Sequence, residues 1–121
     1  MDKQQAYYSL WSQFDIPAYD ELSVPDGAEM PYITYQVIVD ELDEVIAPTA
    51  SIWYRGTSWS AIDEKLAEVN TKISSMKPIR LDDGFMFVTK GNPWAQRMAE
   101  DTDRTVRRYI LNLNVEFLTA E

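Results

Sequence analysis

The chain has no cysteine and no histidine. The first absence excludes disulfides, thiol nucleophiles and thiolate metal sites. The second removes imidazole acid–base catalysis and the usual zinc ligand sets. The 4 glycines stand singly, so there is no glycine-rich phosphate loop. No apolar run approaches the length of a membrane span, and the first residues lack a signal-peptide pattern. A soluble protein, intracellular at synthesis, is expected. Positive charge is also scarce. With 11 Lys and Arg against 20 Asp and Glu, the formal net charge is −9. A general grip on nucleic acid needs a basic surface and is not expected. An acidic surface confers solubility and does not stick to DNA passing close by.

What is present supports a packed domain. The 121 residues are 45% hydrophobic and 12% aromatic, which suits one domain over residues 1–121. The last stretch organises the rest. Tyr109, Leu111, Leu113, Val115 and Phe117 share one parity, and Arg108, Asn112, Asn114 and Glu116 the other. That is a strand with a buried and a wet face. Residues 107–119 contain no Pro or Gly and would span roughly 40 Å at about 3.4 Å per residue. A strand this long either bends around the core or projects towards another subunit.

Residues 2–14 read as a helix, with an apolar stripe through Ala6 or Tyr7, Leu10, Trp11 and Phe14. Pro17 ends it, and residues 16–19 read as a short edge strand. Residues 31–39 form a strand of high β-propensity. An acidic connection follows, and then a strand over residues 47–55, in which Pro48 points to an edge or a bulge. The pair reads as an antiparallel hairpin. Residues 60–74 form a second helix, capped by Ser60 and buried through Ile62, Leu66, Val69 and Ile73. Residues 79–81 and 85–90 form another hairpin about Asp82-Asp83-Gly84. The expected fold is therefore α+β, a two-layer domain with a mainly antiparallel sheet and two amphipathic helices on one face.

Carboxylates are the only candidates for chemistry. Asp82-Asp83-Gly84 resembles part of a calcium loop, but the alternate ligands and the closing Glu are missing, which favours a turn. Asp40, Glu41, Asp43 and Glu44 offer ligands to a divalent cation, with a solvated hairpin tip the favoured reading, and Asp101-Thr102-Asp103 is a third grouping of the same low specificity. Ser58 and Ser60 have no histidine to activate them. No catalytic, cofactor or metal residue is assigned, and the chain is not expected to be an enzyme. Among the aromatics, Trp11 and Trp59 are expected to pack on the sheet. Trp53 is opposite in parity to Ile52 and Tyr54, so one set packs in the core and the other looks elsewhere. Residues 91–103 show no clear period. Irregular connections of this length are often functional. They read as a docking loop with Pro93, Trp94, Arg97 and Met98 as partner-binding residues and Trp94 as anchor. The alternative is a helical turn over residues 95–100 with Trp94 folded back on the sheet.

Across nearly its full length the chain resembles a family of small tail-completion or tail-terminator proteins of long-tailed bacteriophages. These are also called minor capsid or head–tail joining proteins. The resemblance rests on Ile16-Pro17-Ala18-Tyr19, Met30-Pro31-Tyr32-Ile33-Thr34-Tyr35 and Ser51-Ile52-Trp53-Tyr54-Arg55 followed by Ser58-Trp59. It continues through Asp82-Asp83-Gly84-Phe85, Gly91-Asn92-Pro93-Trp94-Ala95-Gln96-Arg97-Met98 and the arginine-led last strand. It implies a structural virion protein at the head–tail interface, in the host cytoplasm before assembly. Such a protein forms a ring with itself, usually six-fold, stops the tail tube protein from polymerising and meets the head connector protein. Genomic DNA passes through without specific binding, no membrane is involved and no cofactor is used. In that setting Asp40, Glu41, Asp43 and Glu44 are expected to line or rim the lumen, where negative walls repel phosphate. Two other classes remain open: an interaction module, such as an inhibitor or adaptor, with an acidic binding surface, and a small carboxylate-dependent enzyme.

Overall fold

The computed structural model describes residues 1–39, 45–100 and 102–119. Helix α1 (Lys3–Trp11) begins at a capping box. The Asp2 carboxylate accepts the Gln5 N–H at 2.8 Å, and the Gln5 side chain accepts the Asp2 N–H at 2.9 Å. Ala6, Tyr7, Leu10 and Trp11, spaced by three and four, are buried. The helix stops short of Phe14. Asp15 has φ 62°, a left-handed conformation that no helix can contain. Helix α2 (Ser60–Ser74) has the expected bounds and buries Ile62, Val69 and Ile73. Ser60 is not its cap. Trp59 holds that position without a side-chain bond, and the Ser58 hydroxyl accepts the Ser60 N–H at 3.1 Å.

Among the described residues the seven strands are β1 (Ala18–Asp20), β2 (Tyr32–Tyr35), β3 (Val45–Ile46), β4 (Thr49–Arg55), β5 (Ile79–Arg80), β6 (Gly84–Met98) and β7 (Val106–Thr119). They form one sheet in the order β1-β2-β4-β7-β6-β5, with β3 also on β7. Every pair is antiparallel except β1 with β2. Strand β2 is shorter than expected. At Gln36 the ladder ends: its backbone N–H still donates to the Thr49 carbonyl at 2.9 Å, but its side chain, not its backbone, accepts the Thr49 N–H at 3.1 Å. The register against β7 is the same in β3 and β4, so Pro48 interrupts the strand without a bulge. Proline has no N–H to give, but its carbonyl accepts from Leu113 at 3.2 Å.

One alternative is resolved and one expectation is corrected. Of the two placements open to the last strand, β7 does not take the projecting one. It lies inside the sheet, with β4 and then β3 along one side and β6 along the other. Nor are residues 91–98 a loop or a helical turn. They continue β6, and Ala95 to Met98 pair with Leu111 to Arg108. Between Lys90 and Ala95 the register shifts, so β6 carries extra residues as a bulge. This bulge, with Pro93 inside it, erases the alternation that marks a strand.

The core contains the odd positions of β7 from Tyr109 to Phe117, Ile33 and Tyr35 of β2, Ala50 and Ile52 of β4, Met86 and Val88 of β6, and the buried sides of α1 and α2. The Tyr7 ring meets Phe117 edge-on at 6.3 Å. No helix among the described residues is long and apolar enough to cross a membrane.

Candidate interaction site

The antiparallel register brings the end of β4, the start of β7 and the end of β6 to one end of the sheet. Tyr54 lies opposite Arg107, and Trp53 and Met98 both lie opposite Arg108. Two groups form there, on opposite parities.

Trp59 centres the first. The Arg97 guanidinium lies over its ring at 4.4 Å and that of Arg107 at 5.4 Å. The Tyr109 ring meets it edge-on at 5.5 Å. Asp63, in the first turn of α2, accepts from the Tyr109 hydroxyl at 2.6 Å and from Arg97 at 3.3 Å. The Arg97 Nε–H donates to the same hydroxyl at 2.9 Å. Burial and the bond to Asp63 push the Tyr109 phenol above its ordinary range. Tyr109 therefore stays neutral and ties α2 to β6 and β7. Arg107 donates to the backbone carbonyls of Arg104 at 2.5 Å and Thr57 at 3.1 Å. Its Nε–H is buried without an acceptor. Trp59, Met98, Val106, Arg104, Arg107 and the acidic Glu100 line an open depression of about 310 Å³.

The second group settles where Trp53 looks. Ile52 is in the core, while Trp53 is half-buried on the other side of the strand. Its indole N–H donates to the Thr34 hydroxyl at 2.9 Å, and Arg108 lies over its ring at 4.3 Å. Arg108 also donates to the Ser51 hydroxyl at 3.2 Å. These bonds satisfy Thr34 and Ser51, the two buried polar residues. Tyr32 and Tyr19 extend the aromatic row, with ring centres 6.3 Å and 5.8 Å apart in turn.

The four partner-binding candidates on β6 separate. Pro93, Arg97 and Met98 are exposed. Trp94 is half-buried against the core, and its indole N–H is buried without an acceptor. Asp40, Glu41, Asp43 and Glu44 lie outside the described residues. Asp82 turns between β5 and β6 and pairs with the N-terminal ammonium of Met1. Asp103 accepts from the Thr105 hydroxyl and from Arg55, which hold its carboxyl well below the usual carboxylate range. Sequence reasoning missed Arg107, Arg108, Asp63 and Tyr109 as a cluster. The available signal was four arginines between positions 97 and 108 of an acidic chain.

No protein-family model matches the chain, and neither does any curated protein.

Proposed function

We propose that the chain is a structural virion protein of the head–tail interface. It assembles into a ring, ends the tail tube and joins it to the head connector. The supporting observation is the outer edge of β6. Strand β5 pairs only with Phe85 and Met86, so among the described residues no strand covers β6 from Phe87 to Met98. An open edge is a template for another chain. The bulge and Pro93 divide it into two short stretches, which favours one register over indiscriminate pairing.

In this reading the fold is two-layered, with both amphipathic helices on one face and the β6 edge turned to a neighbouring copy. Six copies close the ring. The exposed Pro93, Arg97 and Met98 touch the neighbour, and Trp94 supports them from the core side. Tail tube and connector proteins are the other partners, and DNA passes an acidic surface without specific binding. The ring depends on concentration and is favoured by the tube, since anything that binds only the assembled form stabilises it.

Sedimentation at rising concentration, with and without purified tail tubes, tests the reading. A closed species of defined mass, which caps tubes and stops their growth, is expected. A strict monomer under both conditions overturns it.

A further inference from the structure

Two strands of the sheet are uncovered on one side. Among the described residues β1 pairs only with β2, and β6 beyond Met86 pairs only with β7. They stand towards opposite ends of the strand order. Strand β1 runs parallel to β2, and three antiparallel steps lead on to β6, so β1 and β6 point in opposite directions.

Backbone groups along a strand alternate in direction. The Ile33 N–H donates to the Pro17 carbonyl at 2.8 Å and the Glu21 N–H to the Tyr35 carbonyl at 2.9 Å, so Pro17, Tyr19 and Glu21 face β2. Ala18 and Asp20 therefore face outward. Among the described residues the connection from β1 to β2 makes no backbone bond to Ala18 or to the Asp20 N–H. The Asp20 carbonyl accepts the Ser23 N–H at 2.9 Å and keeps a second lone pair. On β7 the Leu113 N–H donates to the Pro48 carbonyl at 3.2 Å, so the odd positions of β7 face β4. Ala95 and Arg97, opposite Leu111 and Tyr109, therefore turn their own backbone groups outward.

Ala18 and Asp20 thus match Ala95 and Arg97 in spacing, and the two pairs lie level. Asp20, Tyr35, Ala50, Leu111 and Ala95 are opposed in succession across the sheet, as are Ala18, Ile33, Ile52, Tyr109 and Arg97. Their faces agree as well, since Ala18 and Ala95 both pack against the core. A strand seated instead on Val88 to Lys90 would carry Leu22 into β5, which already holds Met86.

Charge selects the occupant. From Phe87 to Met98, β6 carries Lys90 and Arg97 and no carboxylate, whereas residues 15–22 carry Asp15, Asp20 and Glu21 and no cation. Lys90 donates to the Asn70 side chain at 2.7 Å and has no ion pair among the described residues. Arg97 is shared with Asp63 of α2, and Glu100 stands beyond the end of β6, paired with Arg108. Two β6 edges paired with each other would oppose cations, and two β1 edges would oppose carboxylates, which destabilises a strand pair. A β1 edge on a β6 edge opposes unlike charges.

We propose that the outer edge of β6 in one copy takes β1 of the next, antiparallel, with Ala18 opposite Arg97 and Asp20 opposite Ala95. The sheet then continues from copy to copy. The contact is heterologous, the type that generates rings when its rotation closes. It rests on the ring reading for its second copy.

Cysteine pairs test the register, in a chain with no cysteine of its own. Opposed residues that exchange both backbone bonds have Cα atoms about 5.5 Å apart, within disulfide reach. Asp20→Cys mixed with Ala95→Cys under mild oxidation is expected to give covalent dimers, and both changes in one chain a ladder of oligomers. Thr89→Cys, on the other side of the bulge, is expected to give no link to Asp20→Cys. The Asp20 carboxylate accepts the Leu22 N–H at 3.0 Å, so Tyr19→Cys with Gln96→Cys reads the same register without touching that turn. No link from either pair, where the wild type assembles, overturns the contact and leaves the ring reading standing. Single variants that link to themselves as readily overturn it in favour of a symmetric pairing. Should the wild type stay monomeric with and without tubes, the ring reading fails. A link to Asp20→Cys that forms several-fold faster at Ala95→Cys than at Thr89→Cys then still upholds the pairing of β1 with β6, and equal rates overturn it.

Discussion

Strands β6 and β7 are the longest in the sheet, with 15 and 14 residues, and they pair with each other. Their environments differ. Strand β7 has neighbours on both sides and alternates in burial almost from end to end. Strand β6 alternates as far as Val88, then passes through a bulge, and among the described residues no strand covers its outer side beyond Met86. Periodicity in a strand records an environment that stays constant along it. Where the neighbours change, the pattern fades although the strand continues. The same contrast marks their packing, since β7 contributes a row of core residues while β6 turns exposed residues outward from Lys90 onward.

Paired truncations give the sharpest test of that division. Phe117 of β7 is fully buried, and its change to Ala is expected to cost about 3–5 kcal/mol in denaturant unfolding. Phe87 of β6 is exposed, and the same change there is expected to stay within about 0.5 kcal/mol. Similar losses at both sites would dissolve the contrast.

The two strands touch most closely at Gly84. A Cβ at this position would lie 1.9 Å from the Leu118 carbonyl oxygen, so backbone must move. Gly84→Ala is expected to cost about 1–3 kcal/mol or more, as overpacking does. Gly56 has nothing within 4 Å of the same added atom, and Gly56→Ala serves as the control. Equal melting temperatures for the two variants would contradict the close approach.

Trp94 sits where β6 loses its period. It is half-buried and its indole N–H has no acceptor, so Trp94→Ala is expected to cost about 1–2 kcal/mol, less than a full core truncation. Melting of the variant subunit, beside sedimentation of wild type and variant at rising concentration, separates support from docking. A full core-sized loss would make β6 as structural as β7.

A smaller effect than that at Trp94 belongs to Tyr7, which packs on Phe117 of β7. Burial pushes its phenol up to about 12, against the bond it donates to the Ile38 carbonyl at 2.7 Å. Tyr7→Phe is expected to cost about 0.5–1.5 kcal/mol through that bond. The unfolded phenol ionises near pH 10, so the unfolded state loses its proton first. The contribution of the neutral Tyr7 is then fully present below about pH 10 and lost as pH rises towards 12. Stability profiles of wild type and variant between pH 9 and 12 should converge. Parallel profiles would mean that Tyr7 is not the group responsible.

Much of this was legible in the sequence. The α2 bounds, the β5–β6 turn and β7 follow from spacing, because each keeps one environment along its length. The pairing of β2 with β4 follows from adjacency in the chain. The parallel placement of β1 on β2 was not legible, since three residues carry no sign of strand direction. Residues 91–98 were misread because Asn92-Pro93 interrupts the pattern, and only the ladder to β7 shows that the strand resumes. Of the partner-binding candidates, Arg97 and Met98 border the arginine-rich end of the sheet, and Trp94 leans on the core, as the alternative reading of this stretch had it.

Sequence by itself determined the inventory and the local periods: an acidic chain without cysteine or histidine, two helices, and a last strand buried on one parity. These depend on residues a few positions apart, and the 3.6 and 2.0 residue repeats report them directly. Tertiary structure decided that β7 lies inside the sheet, that no strand among the described residues covers the outer side of β6 beyond Met86, and that Arg97, Arg104 and Arg107 meet around Trp59 while Arg108 lies over Trp53. Antiparallel register does this, because it sets the end of one strand beside the start of another far along the chain.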